Sequence, residues 1–115
     1  MYTDDPVQVY LREVANVPPM TRQRELECVR HIRARDEHAD LAEKNLFEAN
    51  LALVVAIAQK HPCEHIHIFD LMITGNNALF RALQAFAHSD AENFTAFATP
   101  FIENAIVHQI ATPTC

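Results

Sequence analysis

Apolar residues recur three and four positions apart along most of this chain, which is the period of one face of a helix. The spacing predicts helices over residues 6–15, 21–36, 37–60 and 70–86, and a last helix that ends near residue 110. Because the sequence contains a single glycine, it cannot supply the turns of a β-rich chain. We therefore predict an all-α bundle of about five helices, without a sheet, that forms one domain over residues 1–115.

Residues typical of helix starts stand at two of these boundaries. Asp4 or Asp5 can cap the first helix, whose first residue would then be Pro6. Thr21 can cap the second helix in the same way.

The last two helices carry less usual residues. Gly75 lies inside the fourth helix and costs about 1 kcal/mol relative to alanine, so we expect a neighbouring helix to approach closely there. Either Thr95 or Thr99 can cap the last helix. Pro100 favours Thr99, because proline fits the first turn of a helix but removes a hydrogen bond further in.

Composition and charge narrow the classes of function. Half of the 115 residues are hydrophobic, 21% are charged, and the formal net charge is −6, which makes a nucleic-acid backbone an unfavourable partner. After residue 66 the only lysine or arginine is Arg81. The one basic cluster is on the second helix, where we expect five arginines to form a solvated surface, with an acidic or nucleic-acid partner as the alternative: Arg22, Arg24, Arg30, Arg33 and Arg35.

The residue types that enzymes and cofactor sites need are scarce. One glycine cannot form a phosphate-binding loop, and the single serine, Ser89, lacks the glycine-flanked turn that exposes a nucleophile. We therefore expect neither an enzyme nor a bound cofactor. Three cysteines are an odd number that suits a reducing compartment, and the longest apolar run, residues 51–58, is too short to span a bilayer. We predict a soluble cytoplasmic protein without a membrane partner.

One short segment could hold a metal ion. His61, Cys63, His65 and His67 alternate along the chain, so an extended segment would point all four toward one Zn²⁺ ion. Their spacing matches no established zinc pattern, and we expect an ordinary solvated connection without a metal. Zinc binding by these four residues remains the alternative.

Five short motifs run in order along nearly the whole chain. They are Asp5-Pro6-Val7 with Tyr10-Leu11-Arg12-Glu13, Glu48-Ala49-Asn50-Leu51, Phe69-Asp70-Leu71 with Gly75-Asn76, Phe94-Thr95 with Ala98-Thr99, and Ala105-Ile106. Together they resemble the sigma-70 family of bacterial RNA polymerase initiation factors, from region 1.2 through region 2.3. The resemblance implies an all-α bundle in which residues 1–36 correspond to region 1.2 and residues 37–115 to region 2. Because the sequence ends at Cys115, we expect the family's extended −10 and −35 reading regions to be absent.

The resemblance also implies a contact with RNA polymerase. In the family, a helix that typically reads Asp-Leu-Ile-Gln-Glu-Gly-Asn docks on the clamp helices of the β′ subunit, and residues 70–76 stand in its place. The implied contact residues are Asp70, Ile73, Thr74 and Asn76. Ile73 and Thr74 replace a polar Gln-Glu pair of the family, so we expect a weakened contact with the β′ subunit or with another transcription protein.

Promoter reading is expected to be largely lost. The family's last helices read the −10 element through aromatic and basic residues, and the vestiges of that surface are Phe94, Phe97, Phe101 and Asn104. By the same resemblance, Ser89 and Asp90 replace paired arginines and Glu103 replaces another, which opposes a phosphate chain. Three phenylalanines at helical spacing are also typical of a core. We therefore expect no promoter binding by the isolated chain.

A second function remains open on the same scaffold. In this alternative the chain is a stand-alone protein-interaction or homo-oligomerisation domain that uses Ile73, Phe80 and Phe101 as its interface. The charge pattern separates DNA from protein partners, but it does not separate one protein partner from another.

Overall fold

A computed structural model describes residues 5–61 and 63–111, and within these ranges the chain forms six helices and no strand. The helices are α1 (Pro6–Ala15), α2 (Arg22–Ala34), α3 (Ala39–Ala49), α4 (Leu51–Lys60), α5 (Ile68–Phe86) and α6 (Phe94–Ala111). The all-α prediction is confirmed. The predicted third helix corresponds to α3 and α4, which are separated by a single residue, and counting that pair as one bent helix gives the expected five.

The first two helices begin as the sequence predicts. The Asp5 carboxylate accepts a hydrogen bond from Val7 N at 3.0 Å, and Pro6 is the first residue of α1. Asp4, the alternative cap, lies outside the described residues. The Thr21 hydroxyl caps α2 by accepting a hydrogen bond from Arg24 N at 3.2 Å.

Asn50 interrupts the predicted third helix. Its side-chain amide donates to Leu46 O at 2.8 Å, and its side-chain oxygen accepts from the hydroxyl of Thr95 on α6 at 2.9 Å. An asparagine side chain that bonds the backbone competes with the helical hydrogen bonds, and the buried Asn50 does so with φ −108° and ψ 7°. The bend therefore gives a buried polar side chain its partners.

The prediction that Thr99 caps the last helix is wrong, because α6 begins five residues earlier, at Phe94. The Asn93 side chain accepts a hydrogen bond from Ala96 N at 3.0 Å, and Pro100 lies inside the helix. A proline there removes one backbone hydrogen bond, at a cost of about 3 kcal/mol. Burial on both sides of the proline offsets this cost, since Phe94 and Ile102 are both fully buried.

A core between α4, α5 and α6 holds the bundle together at Gly75. A Cβ atom at this position would lie 2.6 Å from Val54 Cγ1 on α4 and 3.3 Å from Ile106 Cδ1 on α6. The expected close approach is therefore present and involves two helices. The α5 residues that share this buried side are Leu71, Met72, Ala78, Leu79, Ala82, Leu83 and Phe86.

Candidate functional site

The α5 helix turns one stripe of side chains away from the core. Residues three or four apart on this stripe are all exposed, and we call them the α5 stripe: Asp70, Ile73, Asn77, Phe80, Arg81 and Gln84. Ile73 is 57% exposed, and Phe80, which lies two helical turns further along α5, is 54% exposed. The stripe thus combines two large apolar side chains with one carboxylate and one guanidinium.

Asp70 is fixed at the start of this stripe by the beginning of α5. The helix starts at Ile68, and His67 is its N-cap, with Nδ1 accepting a hydrogen bond from Phe69 N at 3.0 Å. Asp70 therefore lies in the first turn, where the helix dipole favours a carboxylate. This position leaves the exposed Asp70 side chain available to a partner.

Two of the four predicted contact residues lie at the edges of the stripe and face neighbouring helices. The Thr74 hydroxyl bonds the side-chain oxygen of Gln109 on α6. The Asn76 side-chain amide donates to the Tyr10 hydroxyl on α1 at 3.3 Å, and Asn76 Oδ1 is buried without a partner among the described residues. Of the four expected contact residues, Asp70 and Ile73 therefore share the stripe, whereas Thr74 and Asn76 join helices.

An open groove of about 940 Å³ runs between α5 and α6 beside the stripe. Phe101, Asn104 and His108 line it from α6, and Arg81 lines it from α5. None of the described residues that line it carries a carboxylate. Glu103 is not among the described residues that line the groove, and at 100° per residue it projects from a different side of α6 than Phe101.

The three phenylalanines of α6 form a ladder that runs from the core to the surface. Phe94 is fully buried, with its ring edge-on to Phe86 at 5.2 Å between centroids. Phe97 is half-buried at 5.5 Å from Phe86, and Phe101 follows at 5.3 Å from Phe97. The structure thus places Phe94 in the core and leaves Phe97, Phe101 and Asn104 nearer the surface.

Arginines of α2 reach the connection between α5 and α6. The Arg33 guanidinium donates to Ala91 O at 2.6 Å and lies 4.6 Å from the centroid of the Phe86 ring. Arg22 donates to Glu92 O at 3.4 Å, and Arg35 donates to His88 Nε2 at 3.2 Å. The basic cluster is exposed, as predicted, but three of its members also hold this connection.

Sequence analysis missed these contacts, although one signal was present. Arg22 and Arg33 are eleven residues apart, which puts them on one side of α2 together with the buried Val29. Arginines beside a buried position pack their stems on neighbouring apolar surface and use their heads as donors.

The histidine-rich connection does not gather its four candidate ligands. Cys63 Sγ lies 3.5 Å from His65 Nε2, whereas His67 caps α5 and His61 Nε2 is buried without a partner among the described residues. Within residues 5–61 and 63–111, no three histidine, cysteine, aspartate or glutamate side chains converge on one point where a metal could bind. The zinc alternative has no assembled ligand set in this part of the chain.

None of the helices in the described ranges is both long enough and apolar enough to cross a bilayer.

Comparison with known proteins identifies the relationship. Residues 5–38 match the family model for sigma-70 factor, region 1.2. The chain is 37% identical over 108 residues to the RNA polymerase sigma factor SigA of Lactococcus lactis subsp. lactis, and 36% identical over 108 residues to SigA of Clostridium acetobutylicum. Each match covers 94% of this chain and 28% of the relative. The chain is homologous to the sigma-70 factors.

The homology extends well beyond the segment that the family model matches. The match to region 1.2 covers α1 and α2, whereas the match to a Bacillus SigA covers 94% of the chain and therefore most of α3 to α6 as well. The resemblance seen in the sequence motifs is confirmed. This sigma-70 homologue spans about 28% of the length of the relatives. The binding partners of the whole relatives therefore do not carry over to it directly.

Proposed function

We propose that this sigma-70 homologue is a transcription-initiation binding module that contacts the β′ clamp helices of RNA polymerase through the α5 stripe and has largely lost binding to promoter −10 DNA. Residues 1–36 serve as its region 1.2 and residues 37–115 as its region 2. Such a module acts by binding and not by catalysis, and it works in the cytoplasm where the polymerase is.

The observation that carries the proposal is the placement of Asp70 and Ile73 on one exposed face of α5. Both positions fall in the segment that resembles the family's docking helix, and the side chains of both are exposed. A carboxylate there suits a basic clamp surface, whereas Ile73 replaces a polar residue of the family and weakens the contact. Thr74 and Asn76 contribute indirectly, because their bonds to α6 and α1 set the orientation of α5.

The loss of promoter binding is supported by the positions of the aromatic and basic side chains. Phe94 is in the core and cannot stack on a base. Arg22 and Arg33 are bound to carbonyl groups of the α5–α6 connection, just before the start of α6. The groove beside Phe101 retains a single arginine, Arg81, which is a small electrostatic footprint for a phosphate chain.

A binding titration with an isolated β′ clamp-helix fragment tests the contact. Asp70→Arg should weaken binding at least tenfold, because it places a cation against a basic surface. Ile73→Gln should strengthen binding, since it restores the family's polar side chain at an exposed position without disturbing the Thr74 bond to Gln109. Asp40→Arg is the matched control, because Asp40 is an exposed first-turn residue on α3.

Two results would contradict the polymerase contact. One is the absence of binding by both the unchanged chain and Ile73→Gln. The other is an equal loss of affinity in Asp70→Arg and Asp40→Arg, which would trace the effect to net charge and not to the stripe.

A further inference from the structure

The α5 stripe is complementary to itself. Along the helix it carries a carboxylate at one end, Asp70, a guanidinium toward the other, Arg81, and two exposed apolar side chains between them, Ile73 and Phe80. The two charges cancel, so two stripes can meet without net repulsion although each chain has a formal net charge of −6. A surface of this kind can pair with a copy of itself about a two-fold axis.

The spacing of these residues fits an antiparallel pair. The midpoint between Ile73 and Phe80 and the midpoint between Asp70 and Arg81 differ by one residue, or about 1.5 Å along the helix. A single two-fold axis beside Asn77 can therefore relate both the apolar pair and the charged pair of the two copies. In that arrangement Ile73 of each copy meets Phe80 of the other, and the two Asn77 side-chain amides face each other.

The charged residues of the stripe have no other partner in the described part of the chain. Asp70 and Arg81 are about 16 Å apart along α5, too far to pair within one copy, and neither bonds a side chain of residues 5–61 or 63–111. An antiparallel second copy brings each charge opposite its counterpart at both ends of the interface. The charged residues and the exposed apolar residues of the stripe thus both fit a second copy of this chain.

We propose that two copies of this chain associate through their antiparallel α5 stripes, with Ile73 of one copy on Phe80 of the other and Asp70 opposite Arg81. The interface is one helix wide and therefore small, which is typical of a weak association. This proposal goes beyond the polymerase contact and does not rest on it. Where both hold, the dimer covers Asp70 and Ile73 and excludes the clamp helices.

Sedimentation velocity over a concentration series that reaches the upper micromolar range tests the pair. Asp70→Arg and Arg81→Asp should each weaken dimerisation at least tenfold, because each single variant places like charges opposite one another. The double variant with both substitutions should recover dimerisation. An equimolar mixture of the two single variants should also recover it, since opposite charges then face each other at both positions in the mixed pair.

Matched controls separate this pairing from changes in overall charge or folding. Asp40→Arg and Arg30→Asp change the net charge by the same amounts at exposed positions outside the stripe and should leave dimerisation unchanged. Circular dichroism of each variant establishes that the helices are intact. Phe80→Asp should abolish the dimer in every background.

Three results would overturn the proposal. The first is a chain that remains monomeric throughout the series. The second is a failure of both the double variant and the mixture to recover what the single variants lose. The third is growth into species larger than a dimer, because a closed two-fold pair stops at two copies. None of these measurements contains polymerase, so their failure is distinct from failure of the clamp contact.

Discussion

Glu25 Oε2 accepts a hydrogen bond from Phe94 N at 3.0 Å, so a side chain of α2 caps a helix that begins 69 residues later. The Glu25 side chain is only 15% exposed, and Arg22 lies 3.9 Å from it while donating to Glu92 O. A carboxylate at a helix N-terminus both accepts an otherwise unpaired N–H group and faces the positive end of the dipole. The start of α6 therefore depends on α2, the helix that resembles part of region 1.2.

Removing this cap should lower the stability of the whole bundle. Glu25→Ala leaves Phe94 N without its side-chain acceptor, and we expect a loss of about 1–2 kcal/mol in the free energy of unfolding. Glu25→Gln retains an acceptor and should lose less. Urea denaturation followed by circular dichroism measures both, with Glu27→Ala, an exposed position on the same helix, as the control. Equal losses in Glu25→Ala and Glu27→Ala would show that the bond to Phe94 contributes nothing.

The close approach at Gly75 predicts that alanine is destabilising there, although alanine is the better helix former. The added Cβ would lie 2.6 Å from Val54 Cγ1, and a β-branched side chain has little freedom to move aside. Overpacking costs about 1–3 kcal/mol, which equals or exceeds the gain of about 1 kcal/mol in helix propensity. We expect Gly75→Ala to lower the free energy of unfolding.

A double-mutant cycle separates this steric effect from a general effect on the helix. Val54→Ala opens the space that the new Cβ needs, so the double variant should lose less stability than the sum of the two single variants. The same urea titrations supply all four values. Simple additivity, or a Gly75→Ala variant more stable than the unchanged chain, would contradict the steric explanation.

The period of the apolar residues was enough to predict the helices, but it could not locate two features that depend on contacts between helices. Judged from its sequence neighbours alone, Pro100 is typical of the first turn of a helix. Its position inside α6 becomes favourable only because Phe94 and Ile102 pack into the core on either side of it. Asn50 sits in an apolar, alanine-rich sequence typical of a continuous helix. Its hydrogen bond to Thr95, 45 residues away, is invisible to a local pattern.

The candidate site was predictable where the motif and the helical period agree. Asp70 and Ile73 fall in the motif and also on the exposed side of α5. Asn76 belongs to the same motif, but it lies nearer the buried side and bonds Tyr10, a partner on another helix. A motif gives the order of residues along the chain, whereas the side of the helix decides which of them a partner can reach.

Asp36 gives the turn between α2 and α3 a dependence on pH. Its carboxylate lies 2.6 Å from His31 Nδ1 and accepts a hydrogen bond from His38 N at 2.9 Å. The hydrogen bond from His31 is the main cause that lowers the pKa of Asp36 below its ordinary value. A carboxyl group whose pKa is lower in the folded state stabilises the fold above its unfolded pKa, about 4, and loses that contribution as pH falls through the folded pKa.

We therefore expect Asp36→Asn to be less stable than the unchanged chain at pH 7, with the difference shrinking below about pH 4 as the Asp36 carboxyl becomes protonated. Urea midpoints measured across this range give the difference at each pH. Asp40→Asn is the control, because Asp40 is exposed and bonds no side chain in the described part of the chain. A difference for Asp36→Asn that is constant with pH would show that the ionised carboxylate has no special role.

The last prediction concerns promoter DNA. A labelled single strand that carries a −10 consensus, titrated at low salt, should not bind the isolated chain at micromolar concentrations. Base stacking contributes about 1–3 kcal/mol per base, but Phe94 is buried and Phe97 is half-buried against Phe86, which leaves Phe101 as the principal aromatic side chain at the groove. Stacking on one ring does not hold a strand whose phosphates meet a chain with a net charge of −6.

An intact SigA relative is the positive control, and two variants identify the surface if binding occurs. Phe101→Ala removes the ring at the groove, and Arg81→Ala removes the groove's single arginine. Micromolar binding that weakens steeply with salt and is lost in both variants would contradict the prediction. Such a result would mean that the α5–α6 groove, whose described lining residues carry no carboxylate, attracts a nucleic-acid strand despite the acidic charge of the rest of the chain.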